Sequence, residues 1–350
     1  MKKTIGLLLS IFILILGACG EQTEDAETGD EGEQLKINTT VYPLQYFTER
    51  IAGDAAEVET ILPPGSDAHS YEPSTKEMVE MAEADAFIYN GAGLETYAEK
   101  ISESIKSEDV EIVEASSGID LSSGSHDHGN EEEEHADEGE HEHEEEEHAD
   151  EDEREHEEEE HAGEEGAEGE DGHNHGEENP HVWLDPIRSI QMAENIKEKL
   201  IELQPDSEEQ FEENFNALKA DLESLDEDFH EQVEGKEKNE IIVSHAAYGY
   251  WEEAYGIEQI AVSGLSPSNE PSQKELEKII EVAEEHELNH VLFEQNITPK
   301  VSEVVQKEIG ADPLRIHNLS VLTEEDIENE EDYFSLMKQN LEVLNEALTE

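Results

Sequence analysis

One cysteine, Cys19, stands in a chain of 350 residues. A lone thiol excludes an intramolecular disulfide framework and a thiolate cluster for zinc. Basic residues are nearly as scarce: 20 Lys and Arg face 96 Asp and Glu, for a formal net charge of −76. That balance excludes nucleic acid as a partner and opposes adsorption to an anionic membrane surface. The apolar run Ile5 to Leu16 is too short to span a bilayer as a helix. No helix read from the sequence carries His-Glu-x-x-His, and there is no nucleophile elbow, so two common signatures of hydrolases are missing.

The ends carry the first positive signal. Lys2 and Lys3 precede the apolar run, and Leu16-Gly17-Ala18-Cys19 resembles the lipobox of bacterial lipoproteins. Residues 1–18 are therefore expected to be a signal peptide and Cys19 a lipid attachment site at the mature N-terminus. Residues 19–34, rich in Glu, Asp, Thr and Gly, read as a flexible tether. Such a protein sits on the outer face of the bacterial cytoplasmic membrane, held only by its acyl chains.

Between Ser122 and Glu178 the composition changes abruptly. This tract holds ten histidines (126, 128, 135, 141, 143, 148, 156, 161, 173 and 175), 29 carboxylates and a single basic residue, Arg154. Without aromatic or large aliphatic side chains it cannot bury enough apolar surface to offset the entropy of ordering, so it reads as a disordered insertion. Imidazole suits Zn, Cu and Ni, and carboxylates add charge; additional weak metal sites are expected here.

Outside the tract, short β runs alternate with helical segments, which predicts an α/β protein of two lobes, each a mostly parallel sheet flanked by helices. The N-terminal lobe is expected over 35–205, interrupted by the insertion 122–178, and the C-terminal lobe over 235–350. Ser74 is placed as an N-cap with Glu77 at its capping-box position. Over 206–234, Phe211, Phe215, Leu218, Leu222, Leu225 and Phe229 recur at steps of three or four. This predicts one long amphipathic helix, read as a rigid spine joining the lobes.

Seven of the 17 histidines lie outside the tract. His69 follows the second strand, His181 sits where the fold resumes after the tract, and His245 ends the first strand of the second lobe. In open α/β sheets ligands bind beyond the carboxyl ends of the strands, so these three are candidate metal ligands. His317 is a fourth candidate by the same rule. His230, His286 and His290 fall in or beside Glu-rich helices and read as solvated.

The segments carrying the three histidines are Gly65-Ser66-Asp67-Ala68-His69-Ser70-Tyr71-Glu72-Pro73-Ser74, Asn179-Pro180-His181-Val182-Trp183-Leu184-Asp185-Pro186 and Ser244-His245-Ala246-Ala247-Tyr248-Gly249-Tyr250. They resemble the metal-binding lipoproteins of bacterial ABC importers, in particular the zinc-uptake branch, ZnuA-like and AdcA-like. Gly264-Leu265-Ser266-Pro267 with Glu270-Pro271-Ser272 is similar to that family's second-lobe signature. The resemblance runs from about Leu35 to the C-terminus, with only the tract as interruption. It implies a zinc receptor rather than an enzyme: a monomer that captures Zn2+ between two lobes at His69, His181 and His245 and delivers it to an ABC importer permease.

Relatives often add a carboxylate ligand from the loop after the last strand, a position that here falls near Ser320 in Asn318-Leu319-Ser320-Val321. The fourth ligand is left open among water, His317, a tract histidine and Glu294, the last read rather as a structural acceptor. Three neutral imidazoles suit tetrahedral zinc, whereas manganese would bring more carboxylate oxygen. The alternatives are a manganese-binding or adhesin-type lipoprotein of the same family, a passive metal buffer acting through the tract, and a zinc hydrolase with Glu294 as general base.

Overall fold

The computed structural model describes residues 34–98, 101–102, 110–123 and 178–349. The expected signal peptide, Cys19 with nearly all of its tether, and the body of the acidic tract lie outside the described residues.

Among the described residues, eight short strands form two sheets of the same design. β1 (Leu35–Thr39), β2 (Ala56–Thr60), β3 (Ala86–Tyr89) and β4 (Glu111–Glu114) pair in the order β2-β1-β3-β4. β5 (Glu240–His245), β6 (Glu258–Ser263), β7 (His290–Glu294) and β8 (Asp312–Ile316) pair in the order β6-β5-β7-β8. Every pairing is parallel. Parallel neighbours need crossover connections, and helices supply most of them. The order reverses between β1 and β3 in one sheet and between β5 and β7 in the other. These switch points open crevices at the carboxyl ends of the strands.

The helices are α1 (Tyr42–Ala52), α2 (Thr75–Ala82), α3 (Pro186–Leu203), α4 (Glu208–Val233), α5 (Gly249–Tyr255), α6 (Gln273–Glu285), α7 (Lys300–Ile309), α8 (Glu324–Glu328) and α9 (Tyr333–Ala347). Local chemistry sets several of their starts. Ser74 and Glu77 form the expected reciprocal capping box on α2, and Ser272 with Glu275 repeats it on α6. Asp185 caps α3 by accepting from Ile187 N and Arg188 N, with Pro186 in the first turn. The short α8 has no counterpart in the sequence reading; Thr323 and Asp326 give it its capping box. β2 ends at Thr60, and Ile61 and Leu62 just beyond it are buried in the core.

The long helix α4 is present, and its stripe is buried: Phe211, Phe215, Leu218, Leu222, Leu225, Phe229 and Val233 face inward. It packs on α1 and α3 of the first half and on α5 and α9 of the second. One apolar cluster therefore runs through both halves along this helix, and smaller clusters sit on the outer face of each sheet. Each buried Leu or Phe contributes about 1.5–3 kcal/mol by its removal from water. Leu222 is fully buried in the shared cluster. Leu222→Ala is expected to lower unfolding free energy by about 2–5 kcal/mol, read from urea unfolding of the metal-free protein, with loss of both halves in one transition.

Candidate metal centre

The three histidines singled out in the sequence meet. His69 Nε2 lies 3.2 Å from His181 Nε2, and His245 Nε2 lies 3.2 Å from the same atom. One donor atom from each lies within 4.8 Å of the others, and among the described residues this is the group of His, Cys, Asp and Glu able to hold a metal ion. In a tetrahedral zinc centre with Zn–N of about 2.0–2.1 Å the nitrogens stand about 3.3–3.4 Å apart. The two 3.2 Å separations are close to that edge length. No carboxylate belongs to the group.

Each ring is placed by a different device. His69 sits in the loop between β2 and α2, where Asp67 Oδ1 accepts from His69 N at 3.0 Å and Asp67 Oδ2 accepts from Ser70 Oγ at 2.7 Å. This loop is tied across to the second half by Gly65 N donating to Leu322 O (2.8 Å) and Asn296 Nδ2 donating to Ser66 O (2.9 Å).

His181 is buried, and Asn179 Oδ1 serves it twice, accepting from His181 N at 3.1 Å and facing His181 Nδ1 at 2.8 Å. An amide oxygen can only accept, so Nδ1 carries the proton and Nε2 presents its lone pair to the cluster. The preceding carbonyl, Pro180 O, accepts from Asn90 Nδ2 at 2.9 Å. Asn90 is fixed in turn by Glu95, whose Oε1 accepts from Asn90 N at 2.8 Å and whose Oε2 accepts from Gly91 N at 3.0 Å. Gly91 has φ +85°, and a Cβ there would come within 2.4 Å of Glu114 Oε1, so only glycine fits this turn.

His245 is the last residue of β5 and is wholly buried. Glu294, the last residue of β7, places Oε1 against His245 Nδ1, and Asn318 Nδ2 donates to its Oε2 at 3.1 Å.

Burial also sets the charge state. It lowers the His69 pKa to about 4, helped by repulsion from His245 and opposed by the Asp67 charge. It pushes His181 well below the ordinary histidine value, again with repulsion from its two neighbours. Both rings are thus neutral and ready to donate lone pairs well below neutral pH.

The other histidines go elsewhere. His317 is buried with both ring nitrogens engaged: Leu319 N donates to Nδ1 at 2.9 Å, and Nε2 faces Asp326 Oδ2 at 3.1 Å. It braces the loop before α8 and does not join the cluster. His290 corrects the sequence reading, since it opens β7 and is buried instead of solvated. His230 and His286 are partly exposed and pair with Glu234 and Glu240 at 2.9 and 2.6 Å. The string His286-Glu287-Leu288-Asn289-His290 has the order of a zinc-protease motif but not its geometry. His286 is the C-cap of α6, Glu287 has φ +52°, and His290 belongs to a strand, so the two rings share no helix face. Sequence reasoning missed Asn179 and Asn90 as supports. The Asn-Pro-His order held a clue, because an Asn side chain often binds the backbone two residues on.

Ser320, at the position expected of a carboxylate ligand, has its Oγ donating to Asn318 Oδ1 at 2.8 Å. Its carbonyl accepts from Tyr42 N at 2.9 Å.

The family model described as "Zinc-uptake complex component A periplasmic" matches residues 37–347. The chain belongs to this family. Within it, the chain is 34% identical over 353 residues to the zinc-binding lipoprotein AdcA of Streptococcus pneumoniae (strain ATCC BAA-255 / R6), covering 99% of this chain and 61% of that protein. It is 32% identical over 348 residues to the high-affinity zinc uptake system protein ZnuA of Bacillus subtilis (strain 168), covering 99% of this chain and 98% of that one. The chain thus spans less than two thirds of the AdcA relative's length. The crystal structure of the Zn(II)-bound ZnuA-like domain of S. pneumoniae AdcA superposes with a TM-score of 0.68 at 29% identity, covering 91% of this chain and all of that one. The family's two-lobe fold, with a four-stranded parallel sheet in each lobe, is the one described above.

The depressed histidines carry a sign for stability. Unfolded histidine titrates near 6.5, so between about 4 and 6.5 the unfolded state binds the extra proton and the metal-free fold loses stability as pH falls. Glu252, raised to about 7 chiefly by burial, acts oppositely over a similar range. The informative quantity is therefore the difference between wild type and His69→Gln, in which the Glu252 contribution cancels. The variant is expected to gain on the order of 2 kcal/mol relative to wild type between pH 7 and pH 5, measured by urea midpoints without metal.

Proposed function

We propose that the protein is a lipid-anchored zinc receptor that binds Zn2+ at His69, His181 and His245 and hands it to an ABC importer permease. The observation that carries this reading is the convergence of three imidazoles from three distant segments, with His69 Nε2 and His245 Nε2 each 3.2 Å from His181 Nε2, close to a tetrahedral zinc edge. The all-nitrogen donor set favours zinc over manganese, which prefers oxygen. Attachment at Cys19 would hold the receptor on the outer face of the cytoplasmic membrane, and the tract would supply weak sites around the strong one.

A hydrolase fits less well. Its general base would have to face a zinc-bound water, and the candidate Glu294 already has one oxygen against His245 Nδ1 and the other on Asn318. The receptor reading and the buffer reading separate on removal of the tract. Its two ends meet in an antiparallel bridge, Ser123 opposite Glu178, with Asn179 N donating to Ser122 O at 2.9 Å. Deleting 124–177 and closing with a short turn therefore leaves the flanking pairing in place. The deleted protein should retain one tight zinc equivalent by titration calorimetry and lose it with His181→Ala; loss of nearly all binding on deletion alone would favour the buffer. One equivalent of manganese in deleted protein purified without added metal would overturn the zinc assignment.

Release follows from the same construction. Trp183 Nε1 donates to Asn318 O (2.7 Å), Trp251 Nε1 to Leu184 O (2.8 Å) and Tyr250 OH to Asn179 O (2.6 Å), so the His181 segment is bonded to the second half along its length. A wide hinge would break all of these in a buried setting. Zinc is expected to leave by loosening of individual ligands, with small-angle scattering of zinc-bound and zinc-free protein giving nearly equal radii of gyration; a wide closure on binding would contradict this.

A further inference from the structure

Two of the three histidines are supported at the ring nitrogen that faces away from the cluster, and the supports differ in kind. His181 Nδ1 meets a neutral amide oxygen, Asn179 Oδ1, at 2.8 Å. His245 Nδ1 meets a carboxylate oxygen, Glu294 Oε1. The side chains of His245 and Glu294 are 0% and 1% exposed, so this charge is removed from water. The buried Tyr248 hydroxyl also stands beside this carboxylate.

The sheet itself creates the pair. β5 and β7 are neighbours at the switch point, and continuing the register Ile242↔Val291 and Val243↔Leu292 sets His245 level with Glu294. The carboxylate is held from behind by Asn318 Nδ2, which donates to Oε2 at 3.1 Å, while Arg315 Nη1 fixes the backbone there by donating to the Glu294 main-chain carbonyl at 2.8 Å. Burying a carboxylate is unfavourable unless a cationic or strongly polarised group faces it. A neutral imidazole N–H alone polarises weakly, whereas an imidazole bound to a divalent cation polarises strongly. His69, in contrast, lies on a partly buried loop and is fixed through its backbone N–H to Asp67.

We propose that Glu294 is a positioning residue that makes His245 the anchor ligand of the site. It fixes the Nδ1–H tautomer, aims Nε2 at the cluster and strengthens that nitrogen as a donor, so that the cation stays with the second half while His69 and its loop exchange. The proposal rests on the zinc-receptor reading above.

The test uses the full chain loaded with half an equivalent of Zn2+, so that the tight site fills before the tract. Zinc release to a chromophoric chelator is followed by stopped flow for wild type, Glu294→Gln and His181→Ala. Visible spectra of the Co2+ forms and unfolding midpoints of the metal-free forms accompany it. Glutamine keeps the size and an acceptor oxygen but carries no charge. Glu294→Gln is expected to release zinc about 10–100-fold faster, the usual consequence of losing such a partner, with a weakened and shifted Co2+ band and no drop in the metal-free midpoint. An unchanged release rate, or faster release accompanied by an equivalent loss of metal-free stability, overturns the proposal. If Glu294→Gln does not fold without metal, Glu294→Asp, which keeps the charge but withdraws the oxygen from the ring, takes its place with the same expectations. A tight site that survives His181→Ala overturns the receptor reading instead.

Discussion

The segment from Asn179 to Asp185 is held from the second half by hydrogen bonds that have no water to replace them. Trp183 and Trp251 donate ring N–H groups across the junction, Tyr250 and Tyr333 donate hydroxyls to Asn179 O and Trp183 O, and all four side chains are buried. Unmade, each would leave an orphaned polar group in a dry interior at a cost of about 1–3 kcal/mol. Asp185 extends the junction outward: it caps α3 and pairs with Arg188 at 2.5 Å, which also reaches Glu253 at 2.6 Å. Because this segment carries His181 between two rigid halves, the same bonds that join the halves set the spacing of the cluster. The spine helix joins the halves through its packing on helices of both.

The electrostatics divide the molecule into two regimes. The chain as a whole, with 96 acidic residues, draws cations of every kind toward it. The cluster offers them three imidazole nitrogens, two on buried rings and one on a partly buried loop, and no carboxylate. A hard oxygen-seeking cation gains little from such donors, while a borderline cation such as zinc gains a great deal. On the receptor reading proposed above, accumulation and choice fall to different parts of the chain. Burial keeps His69 and His181 unprotonated, and a Glu294 oxygen stands against the far ring nitrogen of His245.

Much of this was legible before any coordinates. The spine announced itself by its three-and-four periodicity, since a helix with one buried stripe has few other patterns available. The Ser74–Glu77 capping box was equally plain, because both partners lie within four residues. His69, His181 and His245 were singled out by a rule about strand ends, and the structure brings them together. His317 met the same rule, yet it serves the loop before α8 through Leu319 and Asp326. His290 was misread because its neighbours Glu284, Glu285 and Glu287 suggested a solvated helix, whereas the chain turns at Glu287 and drives the ring into the base of β7.

The sequence by itself determined the local items: where helices start, which faces are apolar, where the tract begins and ends, and which histidines stand at the ends of strands. Each depends on residues a few positions apart, whose geometry the backbone period dictates. Only the tertiary structure decided which strand ends face one another. His181 lies 112 residues from His69 and 64 from His245, and no local preference spans such distances. The pairing of His245 with Glu294 depends on the strand order of one sheet, and that of Asn90 with Pro180 joins residues 90 positions apart within the first half. A donor set can be read from residue types; its spacing, its supports and its burial exist only once the two sheets are packed against the same helix.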